Sequence, residues 1–259
     1  MVATEKWGRL EEITPGVWAL ISTGFQTRDY TTLCNGGIIA GKTGVLAIEG
    51  TNSSKGAKWL KAQAEKLAGR APTDMVVTHY HGDHINGHSG YHGKDSSLKT
   101  WVTAPSRAYA ELTFERAKPP IVPFQNVQEL STKETTEIDL GGRTVSIVPR
   151  KGHRIFPNYG DAIPNLLNDY ATEMSKSKLD DETIVVPGHG QVADQAAIKI
   201  YQTFLKEIQM AATKEHEAGQ PALAAAAEYS LPKNLDEWLV WSPENIKRAF
   251  VAWYRVLDQ

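Results

Sequence analysis

The sequence predicts an α/β fold, on three observations. Short β-rich runs between turns fill the first half, a strand–helix–strand order spans residues 44–78, and amphipathic helical stripes follow residue 192. The chain has 259 residues, 41% of them hydrophobic, enough to bury a sizeable core as one domain. Residues 1–259 are therefore read as a single domain, with 192–259 as its helical C-terminal part.

The elements follow in order. "VWALIS" (17–22), "GGIIAG" (36–41) and "GVLAIEG" (44–50) are strands, the last two joined by a hairpin turn at Gly41–Gly44. Asn52–Ser54 offer helix caps, and Trp59, Leu60, Ala64 and Leu67 form the stripe of a helix that Gly69 ends. "DMVVT" (74–78) is a short buried strand and "LKTWVT" (98–103) another, while the proline-rich 117–124 is extended loop. Strands over 135–140 and 143–148 flank a Gly141–Gly142 turn. Ile163, Leu166, Leu167, Tyr170 and Met174 mark a helix, and 184–186 a last buried strand. Two stripes close the chain: Tyr201, Phe204, Leu205, Ile208 and Ala212, then Ile246, Phe250, Trp253 and Leu257.

Composition excludes several partners. A net charge of −2 argues against nucleic acid or an anionic membrane surface, and no apolar run is long enough to span a bilayer. Cys34 is the single cysteine, so no internal disulfide forms; it is expected to pack as a small apolar residue. The opening "MVATEKWGRLEE" lacks the apolar core of a signal peptide. The expected compartment is the cytoplasm by default, or the periplasm or exterior if a signal has been trimmed.

Chemistry concentrates in "VVTHYHGDHINGH" (76–88), which holds four of the eight histidines. Imidazole and carboxylate are good ligands for zinc and similar divalent ions. His79 and His81 alternate around one residue, so an extended backbone points both to the same side. Gly82 lets the chain turn and aim Asp83 and His84 at a neighbouring point. One strand end can thus feed two adjacent metal positions; the alternative is a polar loop with capped or solvated histidines. His153 and His189 also lie just beyond predicted strand ends, beside glycines. His88 and His92 read as loop residues, with support of the metal ligands as the alternative, and His216 as a solvated helix residue.

The H-x-H-x-D-H motif, the later Gly-His and Pro-Gly-His-Gly, and "NGGIIAGKTGVLAIEGT" together resemble the metallo-β-lactamase superfamily. Glu49 stands where that family's opening hairpin usually ends in an aspartate. The resemblance covers roughly residues 15–190. It implies a four-layer αββα sandwich with metals at one edge. By motif matching, His79, His81 and His153 would hold a first metal, and Asp83, His84 and His189 a second. The implied ion is Zn²⁺, one or two, with Fe or Mn as substitutes.

The chain departs from the family pattern after His153. A strand pair ending in a Gly-Asp, whose carboxylate bridges the metals, is missing there, so the second sheet should be reduced. Asp161 in Gly160–Asp161 is the one candidate replacement, against its reading as a turn and helix cap. The resemblance implies a hydrolase in which metal-bound hydroxide attacks a carbonyl-type small molecule, a β-lactam, thioester or lactone, with Asp83 orienting the nucleophile or accepting its proton. The loops at 22–32 and 114–128 would shape the pocket. The rival reading is a metal-binding relative with little or no activity.

Overall fold

A computed structural model describes residues 1–92, 97–149, 182–235 and 244–258. His153, Asp161 and the helix expected around 163–174 lie outside the described residues. The chain divides into two compact units, one of residues 1–149 with 186–192 and the other of 150–185 with 193–259.

The first unit is built on an eight-stranded sheet in sequence order: β1 (Ala3–Glu5), β2 (Gly8–Thr14), β3 (Val17–Ser22), β4 (Gly36–Ala40), β5 (Val45–Ile48), β6 (Asp74–Val76), β7 (Lys99–Thr103) and β8 (Val127–Leu130). β1 to β5 form an antiparallel meander, and β5 to β8 run parallel. Parallel neighbours need crossovers. Here α2 (Ser54–Ala68), the one-turn α3 (Gly82–Ile85) and α4 (Ala104–Arg116) lie in them, while a short α1 (Gly24–Thr27) sits in the loop after β3. Ser53 caps α2 by accepting from the Gly56 N–H, and Gly69 ends it in the left-handed conformation at φ 72°. Thr103 caps α4 in the same way.

The strand period of two sorts β5 between two cores. Val45 and Ala47 face the helical side with Leu60 and Ala64 of α2 and Phe114 of α4. Leu46 faces the opposite side with Val76, Leu130, Ile138 and Leu140. The latter two belong to or follow β9 (Thr136–Asp139), which pairs antiparallel with β10 (Thr144–Ile147) as a small second sheet. Helices, large sheet and small sheet thus stack in that order in the first unit, three of the four layers of the expected sandwich, and the second sheet is small among the described residues.

In the second unit α5 (Gln195–Glu217), α6 (Ala222–Glu228) and α7 (Glu244–Leu257) share one core. Phe204, Leu205, Ile208 and Ala212 meet Ala225 and Ala226 and, from α7, Ile246, Phe250 and Trp253. His216 is partly covered and pairs with Asp258 at 2.8 Å rather than standing in solvent. The buried strand expected over 184–186 is not formed: Val185 makes one bridge, to Ala193, and Ile184 and Val186 are exposed. No neighbouring strand among the described residues covers those side chains.

Candidate metal centre

Parallel strands β5 and β6 end side by side, and the chemistry sits just beyond both ends. Glu49 follows β5. His79 to His81 follow β6 and lead into α3, which turns Asp83 and His84 back toward the sheet. The His84 carbonyl accepts from the Gly50 N–H at 2.7 Å, tying α3 to the end of β5. Leu33, Glu49 and Thr51, none of them glycine, hold φ values of 63°, 70° and 58° around this point. Such left-handed backbone is costly for these residues and is typical of functional sites.

Three predicted ligands meet. Asp83 Oδ2 lies 3.2 Å from His84 Nε2 and 3.4 Å from His189 Nε2, and the two Nε2 atoms are 3.4 Å apart. Atoms sharing a tetrahedral ion at about 2.0–2.1 Å stand about 3.3–3.4 Å from one another. The triangle therefore has the size that a zinc-like ion requires. The far sides of both rings also suit ligation. His189 Nδ1 lies 3.1 Å from the Leu33 carbonyl and His84 Nδ1 3.2 Å from Glu49 Oε1. The Leu33 carbonyl bonded at His189 Nδ1 leaves that ring's Nε2 lone pair for a metal, while Glu49 faces His84 Nδ1 as a close charge without a hydrogen bond. The residues present fit a divalent ion at this point.

His79 and His81 stand alongside. Their ring centroids are 4.7 Å apart, and His79 is 4.1 Å from His84. The convergence of His153 on this pair falls outside the described residues.

Electrostatics follow from this crowding. Burial alone would raise Asp83, but the facing His84 and His189 hold its carboxyl down at about 2, so it is ionised. Burial and the neighbouring His84 push His189 down to about 4. Burial opposes protonation of His84, yet Glu49, Cys34 and Asp83 together raise its affinity for a proton. A divalent cation satisfies the same field that would otherwise favour that proton.

Several supporting residues are given no role at the site by the sequence reading. Glu49 is buried and accepts from Thr78 Oγ1 at 2.5 Å, which aims its carboxylate at His84. Cys34 is buried as expected, but it lies against the site: its thiol donates to the Asp83 carbonyl at 3.0 Å, and burial pushes its pKa up to about 11. His88 is not a loop residue. It is fully buried on a short turn (88–90), packed between Phe114 and Phe124, with Nε2 2.8 Å from the Val122 carbonyl.

No family model matches the chain. A curated relative, a type 2 metallo-β-lactamase of Bacillus sp. (strain 170), is 24% identical over 219 residues, 73% of this chain and 79% of its own. Among solved structures, a metallo-β-lactamase of Pseudomonas aeruginosa in a mono-zinc form matches 77% of this chain and 95% of its own, with TM-score 0.54 and 13% identity. The chain has the fold of the metallo-β-lactamase superfamily. A stereoselective inverting sec-alkylsulfatase from Pseudomonas sp. matches 96% of this chain, with TM-score 0.66 and 14% identity. This chain spans half the length of that enzyme. Both curated relatives carry the name metallo-β-lactamase type 2.

Proposed function

We propose that this metallo-β-lactamase-fold protein is a zinc-dependent hydrolase acting on a small carbonyl-type substrate, a β-lactam, thioester or lactone. The observation that carries the reading is the triangle of Asp83 Oδ2, His84 Nε2 and His189 Nε2, with its ion-sized sides. Those three residues would hold one divalent ion, and His79, His81 and His153 another. When bound, the metal supplies Lewis-acid polarisation of the electrophile and makes water acidic enough to attack near neutral pH. Asp83, held ionised, orients the attacking water by accepting its hydrogen bond and takes a proton as attack proceeds. The Leu33 carbonyl holds the His189 imidazole turned through Nδ1, and the Glu49 carboxylate, close to His84 Nδ1, adds negative charge that favours a cation at the site.

A second reading, cleavage of a sulfate ester, is favoured by one observation. The alkylsulfatase aligns with 96% of this chain, while the Pseudomonas aeruginosa lactamase aligns with 77%. The same residues would serve either substrate.

The test is turnover of a β-lactam, an aryl thioester, a lactone and a secondary alkyl sulfate by protein stripped with chelator and by protein reloaded with zinc. Hydrolysis of a carbonyl substrate restored by zinc and lost in Asp83→Asn is expected. Hydrolysis confined to the sulfate selects the second reading. Bound metal with no turnover of any of the four leaves a metal-binding protein and overturns the enzyme assignment.

A further inference from the structure

His189 sits in the loop Pro187–Gly188–His189–Gly190, and the other three carbonyls of that loop all go to one residue. The Asn35 side-chain amide donates to the Pro187 carbonyl at 2.8 Å and to the Gly190 carbonyl at 2.7 Å. Its backbone N–H donates to the Gly188 carbonyl at 2.7 Å. Its Oδ1 accepts from the Ser22 N–H at 2.9 Å, so the other end of the amide is fixed at the end of β3. Asn35 is 2% exposed. Both amide protons are used, and water does not compete for them. The residues on either side of Asn35 continue the pattern. The Leu33 carbonyl meets Nδ1 of His189, Cys34 touches the Asp83 carbonyl, and Gly36 begins β4.

We infer that Asn35 is the positioning residue of the Asp83–His84–His189 metal site. It clamps the backbone around His189 to the rigid β3–β4 pair and thereby sets where the imidazole presents its lone pair. This rests on the proposed metal reading of the triad. The 187–190 loop has no ladder of its own to hold it, since the bridge at Val185 stops before it. A histidine on an untethered loop gives up ordering entropy each time it ligates, and the clamp removes that cost in advance.

The experiment is a cobalt(II) titration followed by visible absorption on wild type, His189→Ala, Asn35→Ser, Asn35→Asp and the double variant Asn35→Ser with His189→Ala. His189→Ala identifies the binding step that uses the triad. Asn35→Ser should weaken that step by about 10–100-fold, the range for outer groups that orient ligands, and change its absorption bands. It should add nothing in the His189→Ala background. Asn126→Ala is the control. Asn126 makes a similar two-carbonyl clamp, on Ser97 and Leu98, and its loss should leave both steps unchanged. A purely structural role for Asn35 would give additive losses in the double variant and would overturn the inference. Unaltered cobalt binding in Asn35→Ser would overturn it while leaving the metal reading intact. No cobalt uptake by wild type would overturn both. If the serine variant does not fold, the near-isosteric aspartate variant decides by the same criteria. On wild type alone, zinc loading should slow hydrogen exchange of the Asn35 backbone amide by at least tenfold, and an unchanged rate counts against the clamp.

Discussion

At the residue scale, the candidate site divides into atoms that would touch a bound ion and atoms that aim them. The aimed part was legible in the sequence. H-x-H-x-D-H after a short apolar run told that Asp83 and His84 would leave the strand end together, and the glycines around His189 marked a third arm. The aiming part was not legible. Asn35, Glu49 and Cys34 act through partners 29 to 155 positions away, and no local period reports that distance. His88 was missed for a related reason. It lies within a histidine-rich run but points into an aromatic core, where burial lowers its pKa to about 4. That shift has a sign. His88 binds a proton more weakly folded than unfolded, so the neutral folded form is favoured at pH above about 6.5, and this contribution is lost as pH falls toward 4. The lost stability is roughly 3 kcal/mol at the acid end. His88→Gln can still donate to Val122 but does not titrate there. Denaturant melts between pH 7 and 4 should show a shallower acid loss in this variant than in wild type, and equal slopes would remove His88 from the account.

At the element scale, the strands with strong alternation or apolar runs were readable, with β3 predicted at its observed bounds and β4 to β7 within two residues at each end. The missed elements share a cause. β2 carries Arg9, Glu11 and Glu12, and β8 is half polar, so neither shows a hydrophobic pattern. α4 buries only Ala110 and Phe114 while exposing Tyr109 and Leu112, so it has no stripe to detect. The turn that follows α3 shows how an element can serve the site by close approach. Gly87 presses against the carbonyls of Ser53 and Gly50, leaving no room for a Cβ. Gly87→Ala must push the 82–92 segment off the start of α2. A stability loss of about 2–4 kcal/mol is expected, as for other overpacked interiors, together with weaker metal binding at Asp83 and His84. Thermal melts with and without zinc measure both, and an alanine variant with wild-type stability would show that this contact is not tight.

At the scale of the whole molecule, the first unit holds the described part of the site, and the second contributes a three-helix core of its own. Among the described residues no helix is long and apolar enough to cross a membrane. We propose that residues 1–259 nonetheless behave as one domain, which predicts a single cooperative unfolding transition by calorimetry; two resolved transitions would assign each unit its own stability. The central claim is that the first unit brings Asp83, His84 and His189 together in order to hold a metal. Crystals of zinc-loaded protein measured across the zinc absorption edge test it most directly. The account predicts an anomalous peak about 2.0–2.2 Å from Asp83 Oδ2 and from Nε2 of His84 and His189. Fully loaded crystals with no peak inside that triangle would contradict it.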